Sequence, residues 1–182
     1  MTYIESTLGL ALAKNPSDVI PAILPIRYHS DTLTYATRNH FFVGDWLGSN
    51  RQWFRILRIP GDTLVRKVLF KEKLLAAKGL KSYSPDTAVE FTYLPYEKAL
   101  DLADHWNLGK RLLGVAFVTR IEGLDVTHTG FIDSESGKPK LRQASQLKKA
   151  VVEMDFKEYL ESRRGKCTGI VLFEFLPPPA GG

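Results

Sequence analysis

At 182 residues the chain can bury a substantial core, and 44% apolar with 25% charged residues is the balance of a globular domain, which excludes a fibrous or disordered chain. A single cysteine, Cys167, excludes an internal disulfide framework and a cysteine-based zinc site. No apolar run reaches the roughly 18–20 residues of a membrane span, and a net charge of +5 favours an anionic partner.

The chain opens on MTYIESTLGLALA, where Ile4, Leu8 and Leu12 share one face and predict a helix over 2–13. Gly9 costs such a helix about 1 kcal/mol, so something is expected to pack closely against it. NPSD at 15–18 is a break, with Ser17 or Asp18 capping a short helix ahead of Pro25. Residues 26–38 read as extended, 38–50 as a helix and 54–59 as a strand. PGD at 60–62 is a turn, after which Asp62 is expected to cap a helix over 63–78 that ends at Gly79. A strand over 89–94 and a helix over 95–105, with Pro95 near its start, follow. The last third is strand-rich: 112–121, 126–133, a turn at SGKP 136–139, then 140–145 and 150–154. Asp155 caps a short helix to Ser162, and 169–175 is the final strand. Helices first and antiparallel strands after is an α+β order, with the amino-terminal helices packed on the carboxy-terminal sheet. One domain over 1–176 is expected, and PPPAGG at 177–182 reads as a frayed tail.

The stretch GLDVTHTGFID, 123–133, sets His128 in a strand and a glycine two residues later, where it would leave room for close approach. An imidazole can accept a proton on one nitrogen while the other is held, which suits it to activating a thiol or hydroxyl. If 126–133 pairs with 140–145, Gln143 falls near His128 and could fix its tautomer. The alternative is a partly buried structural histidine beside an edge-strand glutamine. No G-x-S-x-G elbow is present, and His29, His40 and His105 form no metal-binding spacing, so no metal is expected. Cys167, in RRGKCTG, reads as structural. The basic residues are spread out; the tightest cluster, Arg163, Arg164 and Lys166, reads as a solvated face. With no aromatic–basic motif, nucleic acid is not an expected partner.

GLDVTHTGF, LRQAS, VVEMDFKEYL and TGIVLF together resemble the carboxy-terminal half of the N-acetylmuramoyl-L-alanine amidase-like family, whose strands there read Gly-Leu-Asp-Val-Ser-His-Val-Gly and Leu-Leu-His-Ala-Ser. IRYH at 26–29, YATRNHFFVGDW at 35–46 and Asn50 resemble its amino-terminal half. MTYIESTLGLALA resembles its opening helix, Asp-Cys-x-Thr-Phe-Val-Glu. The resemblance implies a papain-like, NlpC-type fold and hydrolysis of the amide between N-acetylmuramic acid and L-alanine, with peptidoglycan fragments (muropeptides) as partners and no cofactor. It gives His128 the catalytic histidine's role and Gln143 the third, orienting position, where the family more often has His. The nucleophilic cysteine would fall immediately before Met1, at a helix start that lowers a thiol's pKa, so the chain as written is expected to be inactive or a muropeptide-binding pseudoenzyme. Arg27, Tyr28, Arg38, His40 and Asp45 are expected to line the substrate cleft, the arginines reading carboxylates. In the alternative, Arg38 and Asp45 form a structural ion pair and Tyr28, Phe41 and Trp46 are core. Asp125 is expected to stabilise the turn before its strand. Members of the family are commonly exported, but Met1 is followed at once by Thr, Tyr, Ile and Glu, with no basic leader.

Overall fold

The structure, a computed structural model, describes residues 2–80 and 85–177. Five α-helices, one π-helix and eight strands are described: α1 (Thr2–Leu12), α2 (Val19–Arg27), the π-helix (Phe42–Leu47), β1 (Phe54–Ile56), β2 (Thr63–Leu69), α3 (Lys71–Ala76), β3 (Thr87–Pro95), α4 (Tyr96–Asp104), β4 (Leu112–Thr119), β5 (Val126–Asp133), β6 (Lys140–Ser145), β7 (Ala150–Asp155), α5 (Phe156–Ser162) and β8 (Cys167–Phe175). The strands form one antiparallel sheet in the order β2-β3-β8-β4-β5-β6-β7, with β1 against the far end of β8. The mixed helix and antiparallel-sheet class read from the sequence holds. Residues 178–182 of the expected tail lie outside the described residues.

Both faces of the sheet are covered at its middle. β4 and β8 lie near its middle, and their near-continuous apolar runs, LLGVAFV and GIVLF, suit strands buried on two sides. Leu113, Val115, Phe117, Ile170 and Leu172 face α4 and α5, packing on Ala99, Leu102, Phe156 and Leu160. Ala116, Val118, Val171 and Phe173 face the other way, onto Ile4 of α1, Ile26 of α2 and Phe42 and Trp46 of the π-helix. Gly9 of α1 is buried against Ile23 of α2, and a Cβ there would collide with Ile23 Cγ1. This is the close contact that the glycine implied.

Residues 63–69 are the largest departure from expectation. They form β2, not a helix, paired with β3 from Thr63↔Tyr93 to Leu69↔Thr87. Thr63, Val65 and Val68 are β-branched and suit a strand. Leu64, Arg66 and Val68 are exposed on one face, whereas Val65, Lys67 and Leu69 turn inward, a period of two. Asp62 closes its own turn, accepting from Ile59 N–H at 3.0 Å. Only Lys71–Ala76 of the expected helix forms, with Leu80 N–H reaching back to the Leu75 carbonyl across Gly79.

α2 continues through Pro25 to Arg27, beyond the expected stop. Pro25 faces solvent, so the hydrogen bond it lacks is not missed in a dry interior, while Ile23 and Ile26 anchor the opposite side. The helix expected over 38–50 shrinks to the π-helix and a short extension, because Arg38 bridges Tyr28 and Asn39 N–H bonds Arg27 O. Trp46 N–H bonds Phe41 O across five residues at 2.9 Å, and the Phe42 and Trp46 rings stack 5.3 Å apart. Asn50, fully buried, donates to Ile26 O at 2.9 Å and Trp46 O at 2.8 Å, tying the π-helix to the end of α2.

Asp125 holds more than its own turn. Its carboxylate accepts from Val126 N–H at 2.7 Å and, across the chain, from Val43 N–H at 2.6 Å and Gly44 N–H at 3.3 Å. It thereby caps the π-helix from the turn that leads into β5. Burial raises its pKa, and these backbone bonds oppose the rise. Asp125→Ala strands buried N–H donors and is expected to lower stability by about 2–3 kcal/mol. Asp125→Asn, which keeps one acceptor oxygen, should cost less; urea denaturation of the two variants checks the order.

Candidate active site

The β5–β6 ladder is short. It joins Phe131 to Arg142, Ile132 to Leu141 and Asp133 to Lys140. Beyond it, β5 stays with β4 down to Val126, while β6 stays with β7 out to Ser145. The sheet therefore forks. Gly130 sits where the strands part: a Cβ there would stand 2.9 Å from the Arg142 carbonyl oxygen and 3.0 Å from Leu141 Cδ1, so a side chain would push the strands apart.

A cavity of about 1170 Å³ opens at the fork. Thr2 and Tyr3 of α1, Thr127–Thr129 of β5 and Gln143–Ser145 of β6 line it, with Tyr159 and Arg163 at the end of α5. His128 is the partner of Phe117 in the β4 ladder; its ring lies 6.0 Å from that of Phe117 and 6.1 Å from that of Tyr159. It therefore projects on the α5 face. Tyr3 packs edge-on against Phe131, 5.3 Å away, on the opposite face. The roles expected of His128 and of a cysteine just before Met1 require the imidazole and the start of α1 to share one site. Both do line one cavity, but from opposite faces of the sheet, and they share it because the strands have separated.

Gln143 is not on an edge strand, since β6 lies between β5 and β7. Extending the ladder by one step would set it against Gly130, diagonal to His128 and on the same face. Burial lowers the His128 pKa, the Gln143 side chain opposes this, and the Arg163 cation adds to it. The Gln143 amide N–H is turned to Met154 Sδ, 3.6 Å away. His128 Nε2 is buried with no hydrogen-bond partner among the described residues, an exception to the usual pairing of buried polar atoms.

The five other candidates lie elsewhere, and none lines the large cavity. Glu5, fully buried in α1, draws in both arginines: Arg27 Nε donates to Oε2 at 3.0 Å and Arg38 Nη2 lies 3.6 Å from the same oxygen. Arg38 also donates to Thr2 Oγ1 at 3.3 Å, so the pair secures the first turn of α1 instead of standing free for a substrate carboxylate. Asp45 pairs with Lys71, not Arg38, and accepts from the His40 and Phe41 N–H groups, both at 3.1 Å. His40 Nε2 bonds the Tyr35 carbonyl at 2.6 Å; burial lowers its pKa against that bond. Arg38, His40 and Asp45 line a separate recess of about 40 Å³, room for little more than a water. Tyr28 is half-buried, and Phe41 and Trp46 belong to the core. Cys167 is buried at the start of β8, its Sγ–H donating to Gly169 O at 3.0 Å, and burial raises its pKa.

Tyr159 and Arg163 also line the cavity, although the sequence pointed to neither. Their signal is the i, i+4 spacing at the end of a helix, where an aromatic ring and a guanidinium can stack.

Solved structures share this architecture. A protein from Legionella pneumophila superimposes with a TM-score of 0.79 at 20% identity, over 97% of this chain and 75% of its own. An N-acetylmuramoyl-L-alanine amidase from Bacteroides uniformis does so with a TM-score of 0.77 at 22% identity, over 97% and 82%. No curated protein matches. These likenesses define the class, a mixed helix and antiparallel-sheet fold shared with amidase structures. The model of the AmiA-like, N-acetylmuramoyl-L-alanine amidase-like family matches residues 1–170, and the chain belongs to that family.

The lowered pKa of His128 has a consequence for stability. Below the ordinary histidine value of 6.5 the unfolded chain takes up a proton that the folded ring resists, so stability falls as pH drops through that value. His40 acts in the same sense. His128→Gln is expected to flatten the loss between about pH 7 and pH 5, read from urea midpoints at the two pH values.

Proposed function

We propose that the fork cavity binds a peptidoglycan fragment and that its muramoyl–L-alanine amide is hydrolysed there by a Cys–His mechanism in a papain-like, NlpC-type arrangement. The carrying observation is that the first turn of α1, His128 and Gln143 line one cavity. The thiol comes from a cysteine immediately ahead of Met1, at the amino end of α1, where free N–H groups and the helix dipole favour the thiolate. Cys167 cannot supply it, being buried and bonded to Gly169 O.

In this reading His128 takes the thiol proton, and the lowered pKa keeps its ring neutral and able to do so near pH 7. The thiolate attacks the amide carbonyl and forms a tetrahedral oxyanion. Collapse expels the L-alanine amine, which receives the proton from His128, and leaves a muramoyl thioester. Water, deprotonated by the same ring, hydrolyses the thioester and frees the thiol. Gln143 orients the imidazole and moves no proton itself. As residues 1–182, whose one cysteine is Cys167, the polypeptide binds muropeptides without turnover.

A variant with Asp-Cys placed ahead of Met1 is expected to release peptide from an N-acetylmuramoyl peptide, while residues 1–182 do not. In that background His128→Ala should slow release by about 10²–10⁴-fold. Chromatographic detection of the freed peptide amine reads both. A folded Asp-Cys variant inert toward every muropeptide would overturn the mechanism.

A further inference from the structure

The cavity is electrically one-sided. Arg120, Arg163 and Lys166 line it, and no Asp or Glu does among the described residues. None of the three pairs with a carboxylate among those residues, although Arg164, next in sequence to Arg163, is held by Glu97 at 3.2 Å. A cavity carrying positive charge that the protein does not neutralise favours an anionic ligand.

Arg163 is the cation best placed to read that ligand. It follows Ser162 at the end of α5, and its Nη2 donates to Tyr159 Oη at 2.8 Å while its Cζ lies 5.0 Å over the Tyr159 ring. Tyr159 is only 4% exposed and packs on Phe117, 4.9 Å away, so the platform under the guanidinium is rigid. The same ring neighbours His128, whose Nε2 is buried and unpartnered. Arg120 and Lys166 are exposed at the rim and add charge without a fixed geometry.

We propose that Arg163, seated on Tyr159, is the specificity-determining residue of the cavity and binds a free carboxylate on the peptide arm of the ligand. This inference rests on the muropeptide reading of the cavity. If His128 and the start of α1 address the muramoyl amide, Arg163, which shares the Tyr159 ring with His128 in the same cavity, is the fixed cation that the peptide following that amide would meet. In a peptide continuing from L-alanine through γ-linked D-glutamate, the glutamate carries a free α-carboxylate, which amidation to D-isoglutamine removes. The site therefore prefers the acid to the amide, because a guanidinium forms two parallel charge-assisted bonds with a carboxylate and none of that kind with a carboxamide.

The test is calorimetric titration of residues 1–182 with two N-acetylmuramoyl dipeptides whose terminal γ-carboxyl is blocked as the N-methylamide, one with the free α-carboxylate of D-isoglutamate and one with the α-carboxamide of D-isoglutamine. The acid is expected to bind about tenfold more tightly or better. Arg163→Ala should bring the two within about twofold, and Arg163→Lys, which keeps charge but not the fork, should retain part of the preference. Tyr159→Phe, which keeps the ring and removes the hydroxyl, should also reduce it; these two variants carry the test if Arg163→Ala does not fold. Equal affinity of the unmodified protein for both ligands, or a preference that survives Arg163→Ala, overturns the inference and leaves the muropeptide reading standing. Binding of neither ligand overturns that reading, and the inference with it.

Discussion

The parting of β5 from β6 is the constraint on which the site depends. A sheet strand normally satisfies its backbone groups on both edges, and here three residue pairs do so before the strands go their own ways with β4 and β7. The opened edges carry N–H and C=O groups that water or a ligand must meet. Gly130 permits the close approach before the split, and Asp125, at the other end of the same half-strand, ties its start to the π-helix. The arm that carries His128 is thus fixed at both ends although its outer edge is open.

The two faces of the sheet do different work. The α4 and α5 side gives His128 its aromatic surroundings, Phe117 and Tyr159. The α1 side brings the amino end of a helix to the same opening. That helix is secured by a buried carboxylate, Glu5, shared between Arg27 and Arg38, with Arg38 extending to Thr2. Burying such a group is favourable only while its partners remain, so the cluster acts as a positional lock more than as a source of stability. It holds the first turn of α1 where the sheet opens.

Much of this was legible in the sequence. The carboxy-terminal strands follow from apolar alternation and one clear turn, and the motif around His128 led to a histidine and a glutamine that share a cavity. The failures have physical causes. Residues 63–69 follow a cap-like Asp62 and precede a distant Gly79, both true helix signals, but β-branching and a partner strand outweighed them. Arg27 and Arg38 look like substrate clamps until Glu5 is known to be buried, and burial of a glutamate in an amphipathic helix leaves no mark in spacing. Arg163 read as one of a solvated cluster because the direction of a side chain at a helix end depends on where that helix docks. The fork was invisible for a similar reason: where a ladder stops is decided by the outer neighbours of both strands.

The concealment of Cys167 makes the molecule chemically quiet. Its sulfur is buried and hydrogen-bonded, and burial pushes its pKa up, away from the reactive thiolate. A thiol installed at the start of α1 would therefore react with iodoacetamide or a maleimide against almost no background. Alkylation rates measured across pH would report that sulfur's own acidity, so the influence of the helix terminus and of the imidazole could be read from the labelling alone, with no substrate in hand.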